Sequence, residues 1–113
     1  MMTIYHNPRC RKSRAGLHYL QGKTTNFQVR EYLNEPLTKE ELDRIVKKLN
    51  AHPKELVRTQ EEVFKKEFKG KEFSESEWIE IIVKHPKLLH RPIIETEHQA
   101  ILAQPPENID QII

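Results

Sequence analysis

The sequence contains very little cysteine and glycine, and it has no long apolar run. Its 113 residues include one cysteine and three glycines. A single cysteine excludes an internal disulfide framework and is typical of proteins kept in a reducing compartment. No apolar stretch approaches the length of about 20 residues that a transmembrane helix needs. We therefore expect a cytoplasmic protein without a membrane span or a signal segment.

The charge is nearly balanced, with 19 basic residues, 17 acidic residues and a formal net charge of +2. An excess this small does not by itself indicate nucleic-acid binding. Charged residues make up 32% of the chain, yet apolar residues recur at regular spacing, which argues against disorder. The length suits one compact domain with one core. We expect a monomer, folded as a single domain over residues 1–113, that binds neither nucleic acid nor membrane.

The first third of the chain predicts a strand, a helix and a second strand. Thr3–His6 is the first expected strand and Asn26–Tyr32, with its alternating apolar residues, is the second. Between them, Arg11–Gln21 has the pattern of a helix, and Gly22 suits its C-terminal cap. A strand, a helix and a strand in this order predict a parallel pair joined by a crossover helix.

The middle of the chain is predicted to be helical, as an insertion over about residues 37–89. Thr38 with Glu41 and Ser74 with Glu77 have the spacing of capping boxes, so each pair predicts the start of a helix. An apolar stripe follows the first pair and the core residue Trp78 belongs to the second helix. The other expected features are a short helix from Pro53, a charged helical segment over Glu61–Phe68 and a loop over Gly70–Phe73.

The last part of the chain predicts two strands and a helix. Arg91–Thr96 and Gln99–Leu102 are close enough to form an antiparallel hairpin. Pro105–Ile113 follows as a helix with proline in its first turn. The predicted fold class is therefore α/β: a thioredoxin-like, mixed four-stranded sheet in the order βαβ and then ββα, with a helical insertion between the two halves.

The only cysteine, Cys10, is expected where the first strand ends and the first helix begins. Unpaired amide hydrogens and the positive end of the helix dipole favour a thiolate at such a position. Arg9, Arg11, Lys12 and Arg14 add positive charge within one turn. A free cysteine is usually an inert, buried apolar residue. Here the position and the four cations instead predict a reactive thiol.

Three segments of the chain carry a recognisable combination of motifs, namely Ile4–Arg14, Glu55–Thr59 and His85–Ile93. In their order and spacing they resemble the glutaredoxin-coupled arsenate reductase family and its Spx-like relatives along essentially the whole chain. The combination is far more specific than an Asn-Pro-x-Cys motif alone.

The resemblance implies that Cys10 is the nucleophile that attacks arsenate, with external glutathione and glutaredoxin as the reductant and no bound cofactor. It also implies that Arg58 and Arg91 bind the oxyanion. Arginine suits this role because its planar fork of donors matches a tetrahedral oxyanion. Each arginine also has a simpler interpretation as a solvated surface charge. Pro92 is expected to follow a cis peptide bond and to face the cysteine, the alternative being a trans proline at a strand start.

Further site candidates surround the thiol. The resemblance suggests that His6 helps to lower the thiol pKa, although a packed histidine at a strand end is equally compatible with the sequence. The Ser13 hydroxyl is expected either to hydrogen-bond the thiolate, which favours the charged form, or to cap the helix. Backbone amides of residues 9–13 are expected to form an anion-binding nest. Arg14 is a further candidate for binding substrate.

One departure from the family pattern concerns the substrate pocket. The reductases carry a third arginine in a segment near the C-terminus, and in this chain Gln104 occupies the corresponding place. Charge-assisted hydrogen bonds are roughly twice as strong as neutral ones, so we expect weaker oxyanion binding here. Arg11 and Lys12 stand where the reductases typically have glycine and threonine, and their charge could partly compensate.

Two further functions are compatible with this sequence. One is an Spx-like protein that contacts a transcription complex without catalysis, although a single cysteine excludes a switch built on a cysteine pair. The other is an enzyme that acts on another thiol substrate, with a decayed arsenate pocket. If the protein is instead a monothiol oxidoreductase of the reductase family, the target of Cys10 is either an oxyanion or a glutathione-linked disulfide. No metal site is expected. The remaining histidines are predicted to be structural or solvated, namely His18, His52, His85, His90 and His98.

Overall fold

Four strands form one mixed sheet in the computed structural model, which describes residues Met1–Ile113. The strands are β1 (Met2–Tyr5), β2 (Phe27–Arg30), β3 (Ile93–Glu95) and β4 (Ala100–Leu102), in the spatial order β2-β1-β3-β4. β1 is parallel to β2 and antiparallel to β3, and β3 is antiparallel to β4. The predicted mixed four-stranded sheet is therefore confirmed.

Three of the four strands are shorter than predicted, whereas β1 has the predicted length but begins and ends one residue earlier than the predicted Thr3–His6. Beyond the end of β1, the His6 amide still donates to the carbonyl of Arg30, while the His6 ring contacts the Ser13 hydroxyl. The four residues of β1 pair with only four residues of β2, so β2 stops at Arg30 rather than Tyr32. The ladder of β3 and β4 is three residues long.

The hairpin between β3 and β4 is closed by a threonine instead of a glycine. Thr96 Oγ1 accepts a hydrogen bond from the Gln99 amide at 3.0 Å, and the Thr96 amide donates to the Gln99 carbonyl at 2.7 Å. Hydroxyl side chains stabilise turns by bonding to the backbone in this way. The hairpin was predicted, and this contact explains why it forms without glycine.

The chain divides into two compact units, Met1–Glu35 with Arg91–Ile113, and Pro36–His90. The organisation as a single domain with an insertion stays a prediction. In the first unit, helix α1 (Arg11–Gln21) has the bounds that were predicted, with Gly22 as its C-terminal cap. The last segment, Pro106–Gln111, is a 3₁₀ helix, shorter than the predicted helix to Ile113, and Pro105 precedes it as the N-cap.

The sheet, α1 and the last 3₁₀ helix bury the apolar core of the first unit. Burying an aliphatic side chain contributes roughly 1.5–3 kcal/mol, so these contacts hold the elements together. At the surface, the Tyr19 hydroxyl donates to Asp110 at 2.8 Å and Lys23 lies 3.5 Å from the same carboxylate. The core residues of the first unit are Ile4, Leu20, Ile94, Ala103 and Ile109.

Two helices and short 3₁₀ turns form the second unit. Helix α2 (Lys39–Leu49) and helix α3 (Glu75–Lys84) both begin with the predicted capping boxes, at Thr38 and Ser74. The predicted short helix is present as the 3₁₀ segment Pro53–Leu56. No helix of the protein is both long enough and apolar enough to span a bilayer. The largest buried side chains of this unit are Leu42, Ile45, Trp78, Ile82, Leu88 and Leu89.

The charged segment predicted as helical over Glu61–Phe68 is helical from residue 62 onward. Its main part, Phe64–Phe68, is a π-helix, which the sequence did not predict. Its two aromatic ends are fixed by ring contacts rather than by a regular apolar face: Phe64 stacks on Trp78 at 6.5 Å and Phe68 meets Phe73 at 5.9 Å between ring centroids. These ring contacts are not visible in the helical spacing of the sequence.

Candidate functional site around Cys10

Cys10 is the N-cap of α1 and has extended backbone angles, φ −99° and ψ 124°. Its amide donates to the Asn7 carbonyl at 3.1 Å, and its own carbonyl accepts the Arg14 amide at 2.9 Å. The side chain is free and partly exposed. The thiol therefore lies at the start of a helix, as the sequence predicts, and can be reached from solvent.

The surroundings of Cys10 stabilise its charged form. Burial alone raises the pKa of the Cys10 thiol, but hydrogen bonds from the backbone amides of Ser13 and Lys12 lower it. The charge of Arg91 and a hydrogen bond from its side chain lower the pKa further, and the net result is a pKa below the ordinary value. A thiolate is the nucleophilic form of cysteine, so this site favours nucleophilic chemistry.

The anion-binding nest is smaller than predicted. The Arg9 amide donates to Asn7 Oδ1 at 3.0 Å, and the Cys10 amide is bonded to the Asn7 carbonyl. These two donors are therefore committed to the turn. The amides of residues 11–13 are the first three of α1, and such amides have no carbonyl partner within a helix. They are the donors that remain for a thiolate or an oxyanion.

Ser13 does not present its hydroxyl to the thiol in the way that the sequence suggested. Ser13 is fully buried, and its Oγ accepts the Asn7 amide at 2.8 Å and lies 2.7 Å from His6 Nδ1. With one lone pair engaged by the amide, the hydroxyl can donate its hydrogen to a neutral His6. Neither is Ser13 the helix cap, since Cys10 occupies that position. The Ser13 amide, rather than its hydroxyl, bonds to Cys10.

His6 is buried at the end of β1, with 4% of its surface exposed. Burial lowers the pKa of His6, and the charge of Arg14 lowers it further. The charge of Glu31 and a hydrogen bond with the backbone of Ser13 raise this pKa and partly oppose the shift. The net shift is downward, so His6 is neutral at neutral pH. It therefore does not supply the positive charge that would lower the thiol pKa directly. Its contact is with Ser13, through which it holds the loop.

We expect alkylation to detect the lowered pKa of Cys10. The rate of iodoacetamide modification should rise with pH along a curve whose midpoint lies below that of an ordinary cysteine, because only the thiolate reacts. Measuring the rate by mass spectrometry, with glutathione as the reference thiol, gives both midpoints under the same conditions. A midpoint equal to that of the reference thiol contradicts the activation of Cys10.

We also expect His6 to destabilise the protein in acid. Its pKa in the folded protein lies below the ordinary value of 6.5, so the unfolded chain binds the proton more readily. The free energy of unfolding should fall as the pH drops below about 6.5. His6→Asn keeps an acceptor but does not titrate, and should therefore lose less stability between pH 7.5 and pH 5. Urea unfolding of both proteins at the two pH values tests this, and equal losses contradict it.

Arg91 lies beside the thiol at the start of the segment that leads into β3. It is 8% exposed, its side chain and charge act on Cys10, and its Nε is buried without a hydrogen-bond partner. The peptide bond to Pro92 is cis, as predicted. A Cβ added at Gly16 would lie 2.5 Å from Pro92 Cγ, so the proline ring rests directly on α1. The structure thus places Arg91 beside the thiol and packs Pro92 against α1 at Gly16.

Arg58 belongs to the second unit and is held within it. Its amide donates to the Leu88 carbonyl at 2.7 Å, and its Nη1 lies 3.3 Å from the carboxylate of Glu61 and 3.4 Å from the Lys87 carbonyl. Its Nε is buried without a partner, like that of Arg91. These contacts fix the Arg58 side chain more firmly than a solvated surface arginine is fixed. That Arg58 binds an oxyanion stays a prediction.

The last two candidates have backbone contacts. Arg14 is exposed, and its Nη1 donates to the Pro8 carbonyl at 2.9 Å, which ties the helix to the loop before Cys10. Gln104 is half-buried; its carbonyl accepts a hydrogen bond from Asn108 Nδ2 at 3.1 Å, and it lines a hollow that Lys12 also lines. The peptide bond from Gln104 to Pro105 is cis, which sequence reasoning did not predict.

Sequence reasoning missed one residue that shapes the loop. Asn7 closes the turn before Cys10 with both its side chain and its carbonyl. A signal was present, because Asn followed by Pro is characteristic of a turn in which the Asn side chain bonds the backbone two residues on. No group of three or more potential metal-ligating side chains is found anywhere in the structure.

Comparison with known proteins gives a consistent result over the whole chain. A sequence model of the ArsC family matches residues 5–112. The chain is 33% identical to the arsenate reductase of Haemophilus influenzae, covering 99% of this chain and 98% of that protein. It is 33% identical to the arsenate reductase of Neisseria meningitidis serogroup A, covering 99% and 97%.

A solved structure shows the same fold. The arsenate reductase from Vibrio cholerae superposes with a TM-score of 0.93 at 34% identity, covering 99% of this chain and 97% of that one. The predicted thioredoxin-like α/β fold is thereby confirmed. With a family match over nearly all residues and relatives above 30% identity along their full length, this chain belongs to the ArsC family.

Proposed function

We propose that this protein is a cytoplasmic monothiol oxidoreductase that reduces arsenate with glutathione and glutaredoxin as external reductant. The observation that carries the proposal is the position of Cys10 at the start of α1, where the amides of Ser13 and Lys12 and the buried Arg91 lower the pKa of its thiol. A thiolate and an oxyanion repel each other, so a site that joins them must neutralise both charges. The unpaired backbone amides at the start of α1 and the guanidinium of Arg91 can neutralise these charges.

The proposed reaction begins when the Cys10 sulfur forms a bond to arsenic. One arsenic–oxygen bond breaks, and that oxygen leaves as water after taking up protons. Two thiols from the reductant then supply two electrons, so arsenic(V) becomes arsenic(III), a second oxygen leaves as water and the thiols leave as a disulfide. One water then cleaves the bond between sulfur and arsenic, which releases arsenite and regenerates the Cys10 thiol. In total, one arsenate and two thiols give one arsenite, one disulfide and one water. The chain holds a single cysteine, so the disulfide must form with external thiols.

In this proposal each remaining residue has a role that matches its contacts. Arg91 binds the oxyanion and has a buried Nε without a protein partner. Pro92 packs against α1 and holds Arg91 near the thiol. His6 and Ser13 fix the loop whose amides face the sulfur.

The test is arsenate-dependent consumption of NADPH in the presence of glutathione, glutaredoxin and glutathione reductase. We expect consumption with arsenate, none with sulfate in its place, and none with Cys10→Ser. A wild-type protein that gives no arsenate-dependent signal, although its Cys10 alkylates normally, contradicts arsenate reduction.

Replacing Gln104 should change the affinity of the protein for an oxyanion. If a neutral amide at this position weakens oxyanion binding, Gln104→Arg should tighten it by about tenfold, because a charged hydrogen bond contributes roughly 1.5–3 kcal/mol. Calorimetric titration of sulfate and arsenate into both proteins measures the change. Unchanged affinity would mean that residue 104 does not face the bound anion or that Lys12, which lines the same hollow, already supplies the charge.

A further inference from the structure

A hollow of about 330 Å³ lies beside the first turns of α1. One wall is the helix and the other is the chain that follows β4. Ala103, which belongs to the second wall, is close to α1, because its carbonyl oxygen would lie 3.6 Å from a Cβ added at Gly16. The lining residues are Lys12, Ala15, Ala103, Gln104, Pro105 and Pro106.

The lining combines apolar side chains with a single charge. Two alanines and two prolines make most of the surface, Gln104 adds an amide, and Lys12 is the only charged residue. Both Lys12 and Ala15 are exposed to solvent. A hollow of this composition suits a small molecule that has an apolar or peptide-like body and a carboxylate, because the carboxylate can pair with the lysine while the body covers the alanines and prolines.

Along the axis of α1, the hollow begins close to Cys10. Lys12 and Ala15 are three residues apart, so they share one face of α1. At 1.5 Å per residue, Lys12 lies about 3 Å and Ala15 about 8 Å along the helix axis from Cys10. An extended tripeptide spans about 10 Å, so a thiol on its central residue lies about 5 Å from either end, which exceeds the offset of Lys12 from Cys10 along the axis.

We propose that this hollow binds the thiol co-substrate, a peptide thiol of the glutathione type, with a carboxylate paired to Lys12. This inference rests on the proposed function, because it assigns the place from which the reductant reaches the site. The proposal predicts that Cys10 prefers a peptide disulfide with carboxylates over a neutral disulfide in thiol–disulfide exchange. The Cys10 thiolate attacks one sulfur of a disulfide, a mixed disulfide with Cys10 forms, and the other half leaves as a thiolate.

The test compares two disulfides under conditions in which arsenate is absent. Oxidised glutathione carries carboxylates, whereas bis(2-hydroxyethyl) disulfide is small and neutral. Mass spectrometry follows the rate at which each modifies Cys10. The measured quantity is the ratio of the two rates, which cancels any change in the reactivity of the thiolate itself.

For Lys12→Gln we expect this ratio to fall by roughly two- to fivefold, the range for loss of an exposed ion pair, and to recover in Lys12→Arg. Arg11→Gln is the matched control, because it removes a charge from the same helical turn but from a residue that does not line the hollow. Ala15→Leu narrows the hollow at an exposed helical position and should also lower the ratio.

Equal falls of the ratio in Lys12→Gln and Arg11→Gln would overturn the proposal, because they would indicate general attraction by the basic turn. An unchanged ratio in both Lys12→Gln and Ala15→Leu would overturn it as well. The failure of the proposed function is a separate result: wild type would then show no arsenate-dependent turnover, whatever its preference between the two disulfides.

Discussion

Replacing Arg91 by glutamine should lower arsenate turnover by about a hundredfold to a thousandfold. That is the usual effect of removing one donor that stabilises a developing oxyanion. Arg91 is 8% exposed and its guanidinium acts directly on Cys10, so its loss also removes a charge that lowers the pKa of the thiol. The variant should therefore show a higher midpoint for Cys10 alkylation in addition to its lower turnover.

Two further variants separate the contributions of Arg91. Arg91→Lys keeps the charge but loses the planar fork, so its turnover should lie between wild type and Arg91→Gln. Arg9→Gln removes an exposed arginine from the loop beside Cys10 and serves as the matched control. If Arg9→Gln and Arg91→Gln reduce turnover equally, general electrostatic attraction explains the effect and the specific role of Arg91 is wrong.

Gly16→Ala should destabilise the protein by about 1–3 kcal/mol, the usual cost of overpacking a tightly filled site. The added Cβ would lie 2.5 Å from Pro92 Cγ, a distance that forces the helix or the proline ring to move. Arg91 adjoins that proline, so we also expect lower arsenate turnover. Urea unfolding measures the loss of stability, and the coupled assay measures turnover at a pH where the variant is folded.

Gly22→Ala provides an internal control with the opposite expected sign. Its backbone has φ −74°, and an added Cβ would meet only the Tyr19 carbonyl oxygen, at 3.4 Å, and the His18 carbonyl oxygen, at 3.9 Å. Where the backbone already suits alanine, this substitution stabilises a protein by about 0.4–1 kcal/mol. If Gly16→Ala were as stable as Gly22→Ala, the close packing of Pro92 on α1 would not be a constraint.

The features that sequence predicted best are those with local causes. Both capping boxes form as predicted, because the two partners are three residues apart and bond each other directly. The bounds of α1 also follow from nearby residues. In contrast, the strand ends depend on which residues of another strand are available for pairing, and the π-helix depends on ring contacts with residues farther along the chain. A sequence pattern within a few residues does not predict contacts with residues that are distant along the chain.

The site shows the same division between local and distant causes. The sequence predicted the position of Cys10 and its activation, because both depend on the start of a helix. The sequence did not determine which group the Ser13 hydroxyl bonds. In the structure, this hydroxyl contacts His6 Nδ1 and accepts a hydrogen bond from the Asn7 amide. The choice is made by burial, which leaves Ser13 fully enclosed against the end of β1. The hollow shared by Lys12 and Gln104 joins residues far apart in sequence, and only the fold brings them together.

The lone, partly exposed thiol also determines how this protein is damaged by oxidants. A thiolate reacts with peroxide to give a sulfenic acid, which a neighbouring thiol normally rescues as a disulfide. This chain has no second thiol, so a sulfenic acid at Cys10 is either capped by a small thiol from solution or oxidised onward to the irreversible sulfinic acid. The supply of small thiols therefore sets the lifetime of the protein during oxidative stress, independently of any substrate that it reduces.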